Sequence, residues 1–111
     1  TITATNVALV RGVRVILDSS GTVSVAGATV RGEYVTSQAI AADATGAGFP
    51  TSEAASVPAL ASEAVAVGDA AYAAAAGKFS KTSTNAAYMG VWTLAASGDG
   101  VLGAVELKSV A

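Results

Sequence analysis

Apolar and polar residues alternate with a period of two through much of the chain, and turn residues interrupt the alternation at short intervals. Val13, Val15 and Leu17 alternate with Arg14 and Ile16. Asp18-Ser19-Ser20-Gly21 reads as a turn, because Gly reaches the positive-φ conformations that tight turns need. Thr22 to Val25 resumes β-branched residues, so the pattern predicts a hairpin. Ala28 to Thr36 reads as another strand, with Val30, Gly32 and Tyr34 on one face. Further on, Tyr88, Gly90, Trp92 and Leu94 fall on one face, and Met89, Val91 and Thr93 on the other. Ser97-Gly98-Asp99-Gly100 is a turn, after which Val101, Gly103, Val105 and Leu107 oppose Leu102, Ala104, Glu106 and Lys108. These two runs predict a closing hairpin. Short strands with frequent turns predict an all-β fold, a small single-domain β-barrel or sandwich of short antiparallel strands.

Three segments are less regular. Residues 39–56 are dominated by Ala, Thr, Ser and Gly and predict a long Ala/Gly-rich loop. Pro58 ends any helix begun before it. In Ser62 to Ala76 the Ala run favours a helix. Gly68-Asp69 in its middle favours a turn between strands. The residues alone leave these balanced. Residues 1–10 carry no charge. They read equally as a first strand or as an N-terminal arm that adds a strand to a neighbouring subunit.

Composition qualifies the picture. The 111 residues form one domain, 1–111, by length. The apolar fraction is 52%, but 27 of those residues are Ala and 15 are Val, which predicts a thin core. A thin core in a small scaffold predicts help from subunit contacts, hence a homo-oligomer. Charged residues make up 13%, against roughly 25% in an average domain. Such a surface is rich in uncharged polar groups or covered by a partner. The net charge of −2 and the scattered basic residues argue against nucleic acid. No apolar run is long enough for a transmembrane helix, and Thr1 to Asn6 lacks the basic start of a signal peptide.

Little catalytic chemistry is on offer. Without His or Cys there is no Ser-His-Asp or Cys-His pair and no thiolate metal site. No phosphate-binding Gly-rich loop occurs, and Gly98-Asp99-Gly100 lacks the further ligands of a calcium loop. Asp18, Asp69 and Asp99 flank Gly or Ser, where Asp commonly bonds the local backbone. No catalytic residue, cofactor or metal is expected, and the chain is not expected to be an enzyme. The candidates for partner contacts are Ile2, Val7 and Leu9 in the first segment, with Arg11, Arg14, Arg31 and Tyr34. For any single Arg, a solvated strand face is the competing assignment. Trp92 shares a face with Tyr88 and Leu94 and is assigned to the core rather than to an interface.

One ordered set of motifs goes further. Val65-Ala66-Val67-Gly68-Asp69-Ala70-Ala71-Tyr72 is followed by Ala76-Gly77-Lys78-Phe79-Ser80-Lys81-Thr82-Ser83-Thr84-Asn85. Met89-Gly90-Val91, Ala95-Ala96-Ser97-Gly98-Asp99-Gly100 and Val105-Glu106-Leu107 come after. This order, over residues 57–107, resembles the capsid-cement (head-decoration) proteins of tailed phages, a family once catalogued as a domain of unknown function. Some of its members carry a phage-recombinase label, which neither a basic stripe nor a nucleotide loop supports in this chain. The resemblance implies turn and strand for Ser62–Ala76. It implies a structural virion protein, made in the bacterial cytoplasm, that binds the major capsid protein on the outer capsid surface, often as a trimer. The alternative within the structural class is a tail, fibre or surface-adhesin β domain.

Overall fold

The computed structural model describes residues 2–4, 8–17, 22–52 and 55–108. The strands among them are β1 (Ile2–Ala4), β2 (Arg14–Leu17), β3 (Thr22–Val25), β4 (Tyr34–Thr36), β5 (Thr45–Gly46) and β6 (Gly48–Pro50). They continue with β7 (Ser56–Leu60), β8 (Ala70–Ala73), β9 (Phe79–Ser80), β10 (Tyr88–Leu94) and β11 (Leu102–Leu107). A single 3-10 turn, Ala75–Gly77, joins β8 to β9. The fold is all-β, in two sheets. The expected hairpin pairs β2 with β3 in antiparallel register, Val15 opposite Val25 and Leu17 opposite Val23. Its turn, residues 18–21, lies outside the described residues.

The first sheet has the order β5-β1-β3-β2-β4-β6. Its pairs are antiparallel except β1 with β3, which is parallel. Of the two readings of the first segment, Ile2–Ala4 takes that of a strand, paired within its own chain to β3 and β5. Only Ala47 separates β5 from β6. One extended stretch, 45–50, therefore pairs with β1 at its start and with β4 at its end. The sheet curls until its two margins meet in that stretch. Leu9, Val13, Val15, Val23 and Ile40 fill the interior. Leu9 and Ile40 also exchange two backbone hydrogen bonds of 2.8 Å.

The second sheet has the order β7-β11-β10-β8-β9 and is antiparallel throughout. Its margins are joined too. Ala61, just after β7, bridges Phe79 of β9, and the Ser62 N–H donates to the Phe79 carbonyl at 2.9 Å. Pro58 sits in the middle of edge strand β7, opposite Ala104. The bonded positions of β7 alternate through Ala55 and Ala61, whose groups pair with Leu107 and Val101. Pro58 therefore turns its N–H-less nitrogen away from β11, where no ladder bond is lost. The inner face carries Trp92, Phe79 and Met89, all fully buried, among Ala59, Ala61, Ala71, Ala73 and Ala96. The alanines make room for three large side chains, so the thin core expected from composition is a packed one built of very unequal pieces.

Three expectations give way. Residues 39–56 are not one loop: β5, β6 and the Ile40 bridge lie inside that stretch. The segment is small-residue-rich because its backbone runs close to its neighbours. A Cβ at Gly46 would come within 2.6 Å of Ile40 Cγ1. Ala28 to Thr36 is a strand only from Tyr34, because a turn at Ala28–Thr29 and Gly32, at φ +84°, break the alternation before it. On β10, Met89 and Trp92 are both buried although they are three residues apart. Register shifts between Tyr88 and Gly90, and between Trp92 and Leu94, explain this. The second shift turns Leu94 away from the face of Trp92 and into solvent.

Gly90 makes the first shift possible. Its φ is +153°, and a Cβ there would overlap the Glu106 carbonyl. Gly90→Ala is expected to cost about 3 kcal/mol or more. Gly98→Ala, where a Cβ meets nothing within 4 Å, is expected to stay within about 0.5 kcal/mol of the parent. Urea denaturation of the two variants checks this.

Candidate functional site

Arg14 was a candidate for partner contact, and the structure corrects this. It lies on β2, its side chain fully buried between the sheets. The guanidinium's five N–H groups find five backbone carbonyls. Nε donates to Lys78 at 3.1 Å, and one terminal nitrogen donates to Gly27 at 3.1 Å and Val30 at 2.6 Å. The other donates to Ala26 at 3.4 Å and to Ala74. The guanidinium also stands 5.6 Å from the centre of the Phe79 ring. Phe79 in turn meets Trp92 edge-on at 6.3 Å, and Trp92 Nε1 donates to the Ser80 carbonyl at 3.1 Å. Burial pushes the Arg14 guanidinium down to about 10, so it is still charged at neutral pH. With every donor used inside the fold, Arg14 has nothing to offer a partner.

The other candidates divide. Leu9 is buried in the first core and is likewise no surface contact. Ile2 lies in β1, and Val7 lies outside the described residues. Arg31 is partly buried. It donates to the Thr51 carbonyl at 2.8 and 3.3 Å and to the Tyr88 carbonyl at 2.7 Å, a second stitch between the sheets. Burial lowers its pKa. Tyr34 is half-buried against the first core and lines a shallow cleft with Glu33, Pro50 and Ser52. Arg11 is exposed. Trp92 is core, as assigned.

Three of the described carboxylates, Asp69, Glu63 and Asp99, serve local structure. Asp69 Oδ2 accepts the Ala66 N–H at 2.9 Å and caps the turn 66–69. Glu63 Oε2 accepts from the Thr82 hydroxyl at 2.7 Å and the Lys81 N–H at 3.2 Å. Asp99 pairs with Lys78 at 2.8 Å on the surface. Among the described residues, no group of three or more acidic side chains is placed to hold a metal ion. Among the described residues, no helix is long and apolar enough to cross a membrane.

The feature that sequence reading missed is the outward face of the second sheet. Cross-strand partners share a face, so Leu94, Ala104 and Pro58 form one row across β10, β11 and β7. Val91, Glu106 and Ser56 form the next. Beyond them Tyr72 and Tyr88 meet edge-on at 5.6 Å. At the other end Leu60 and Leu102 face each other. The Gly12 carbonyl accepts the Leu60 N–H at 2.9 Å and Leu60 packs against the first core, so the segment leading into β2 meets that end. Leu94 is 57% exposed. Val67, at the tip of the turn 66–69, is 64% exposed. That turn is tied to β10 by bonds of 2.9 Å from the Gly68 N–H to the Trp92 carbonyl and from the Trp92 N–H to the Asp69 carbonyl. Glu106 is the only charged side chain in these rows, and its carboxylate lies 3.8 Å from Lys108. The signal for this face was the odd spacing of Met89 and Trp92, which only a register shift reconciles.

The architecture is a two-sheet all-β module. No family model matches the chain, and no curated protein matches it. Its fold is similar to the crystal structure of the head fiber gp8.5 N base in bacteriophage phi29. The two align with a TM-score of 0.78 over 97% of this chain and 91% of that one, at 15% sequence identity. At that identity the likeness is one of fold.

Replacing Arg14 tests the buried cluster. Arg14→Met keeps the length but strands carbonyls in the interior, and is expected to cost about 3–5 kcal/mol. Arg14→Lys, with three donors for five acceptors, is expected to fall between. Arg11→Met is expected to change stability by less than about 0.5 kcal/mol. Denaturation midpoints at constant slope decide it.

Proposed function

We propose that the chain is a structural protein of a tailed-phage virion, which attaches to the outside of the assembled head and reinforces it. The observation that carries this reading is the likeness, along nearly the whole chain, to a protein described as the base of a phage head fibre. The motif order from Val65 to Leu107 supports it from the sequence side. The partner is the major capsid protein of the shell. The working form is a homo-oligomer, a trimer on threefold positions, and neither nucleic acid, membrane nor cofactor takes part. The role is not enzymatic, in keeping with carboxylates engaged in turns and ion pairs. The physics is linkage. A protein that binds the assembled shell and not its free subunits stabilises the shell by RT ln(1 + [L]/Kd) at each site, about 2.7 kcal/mol at a hundredfold excess over Kd.

Cement and fibre base are the two forms of this reading. Cement ends at the module, whereas a fibre base carries a stalk. The likeness in fold to a phage head fibre base favours the second form, and the motif resemblance favours the first. The purified protein is expected to co-sediment with expanded shells that lack it and to raise the temperature at which they come apart. Shells that do not retain it overturn the reading. Micrographs of decorated virions separate the forms: compact knobs for cement, projecting stalks for a fibre base.

A further inference from the structure

The second sheet's outward face carries exposed Leu94 among the half-buried Val91, Ala104 and Pro58, with no part of the described fold packed over them. Strand addition, the other common way for a β protein to bind, has little to work with. The first sheet's margins meet in 45–50, and the second's meet at Ala61 and Phe79. The stretch of β7 ahead of that junction carries Pro58. Binding therefore falls to a face.

We infer that this face, centred on Leu94 with Ala104, Pro58 and Val91, together with Val67 on the adjoining turn, is the surface that seats on the shell; the inference rests on the head-binding reading above. Its size indicates the occupant. Three strand widths of ~4.8 Å and about five residues at ~3.3 Å give a patch of about 240 Å². A stable pair of proteins needs roughly 800 Å² on each side. The patch is too small to hold a second copy in solution. It suffices where many copies, or the arms of one oligomer, bind a single repeating surface and effective concentration multiplies weak contacts. The charge pattern narrows the occupant further. Glu106, the one charge in the rows, sits beside Lys108, so the face offers no net field. Its complement is an apolar, weakly charged part of the shell's outer surface rather than a basic or acidic one.

The test uses the full chain and expanded shells lacking it. Leu94→Asp and Val67→Asp place a charge on exposed positions, so both variants are expected to fold with melting temperatures near the parent's. Each is expected to lower shell retention about tenfold or more, because a charge at a small apolar contact is desolvated without a partner. Val25→Asp, at an exposed position of the first sheet, is expected to bind as the parent does. Parent binding is expected to change little between about 0.05 and about 0.5 M salt, since screening acts on charge pairs. Folded Leu94 and Val67 variants that bind like the parent overturn the face while leaving the head-binding reading intact. So does binding that collapses in salt. If the parent oligomer dissociates when Leu94 is changed, the face belongs to a second copy and the assignment to the shell is wrong. If the parent itself is not retained, both inferences fall together.

Discussion

A single guanidinium holds the two sheets in one arrangement. Arg14 leaves β2, passes between the sheets and ends among carbonyls of the 26–30 loop and of the segment around the 3-10 turn. Those segments are irregular and cannot satisfy their own backbone groups by a ladder. A buried cation without a carboxylate is costly unless its donors are all used, and here five donors meet five acceptors. The Phe79 ring beneath the guanidinium passes the constraint to Trp92, which the Ser80 carbonyl fixes in turn. The positions of β8, β9 and β10 relative to β2 follow from that chain of contacts. Arg31 repeats the device in a milder form at the other end of β4.

Much of the fold was legible because strands with one buried face announce themselves. β2, β3, β10 and β11 lie where alternation and turn residues put them, and Ala70–Ala73 is a strand although its composition favours helix. What escaped was governed by backbone proximity rather than by side-chain pattern. Gly46 and its neighbours show no apolar period because their task is to let strands approach, and only the position of Ile40 reveals it. Arg14 read as a surface residue because its charge implies water. Its true surroundings are carbonyls contributed by segments far apart in sequence, which no local spacing encodes. Leu94 was misplaced by one register shift, which moves a side chain from one face to the other.

The alanines acquire a different meaning in three dimensions. They do not dilute the core; they line the sheet beneath Trp92, Phe79 and Met89. Gly103 belongs to the same arrangement: a Cβ there would lie 2.9 Å from the Trp92 ring. A small protein can thus concentrate its buried area in a few large side chains, at the cost of tolerating little change around them.

The parallel pairing of β1 with β3 has a consequence for how the chain reaches this structure. Thr3 must find Thr22 on one side and Thr45 on the other. Ile2–Ala4 thus leaves the ribosome well before either neighbour exists. Local hairpins such as β2–β3 and β10–β11 form early because their loops are short, whereas contacts between distant segments form late and set the rate. A strand synthesised before both of its neighbours is therefore among the last to be placed, and the curled sheet stays open until stretch 45–50 arrives to close it.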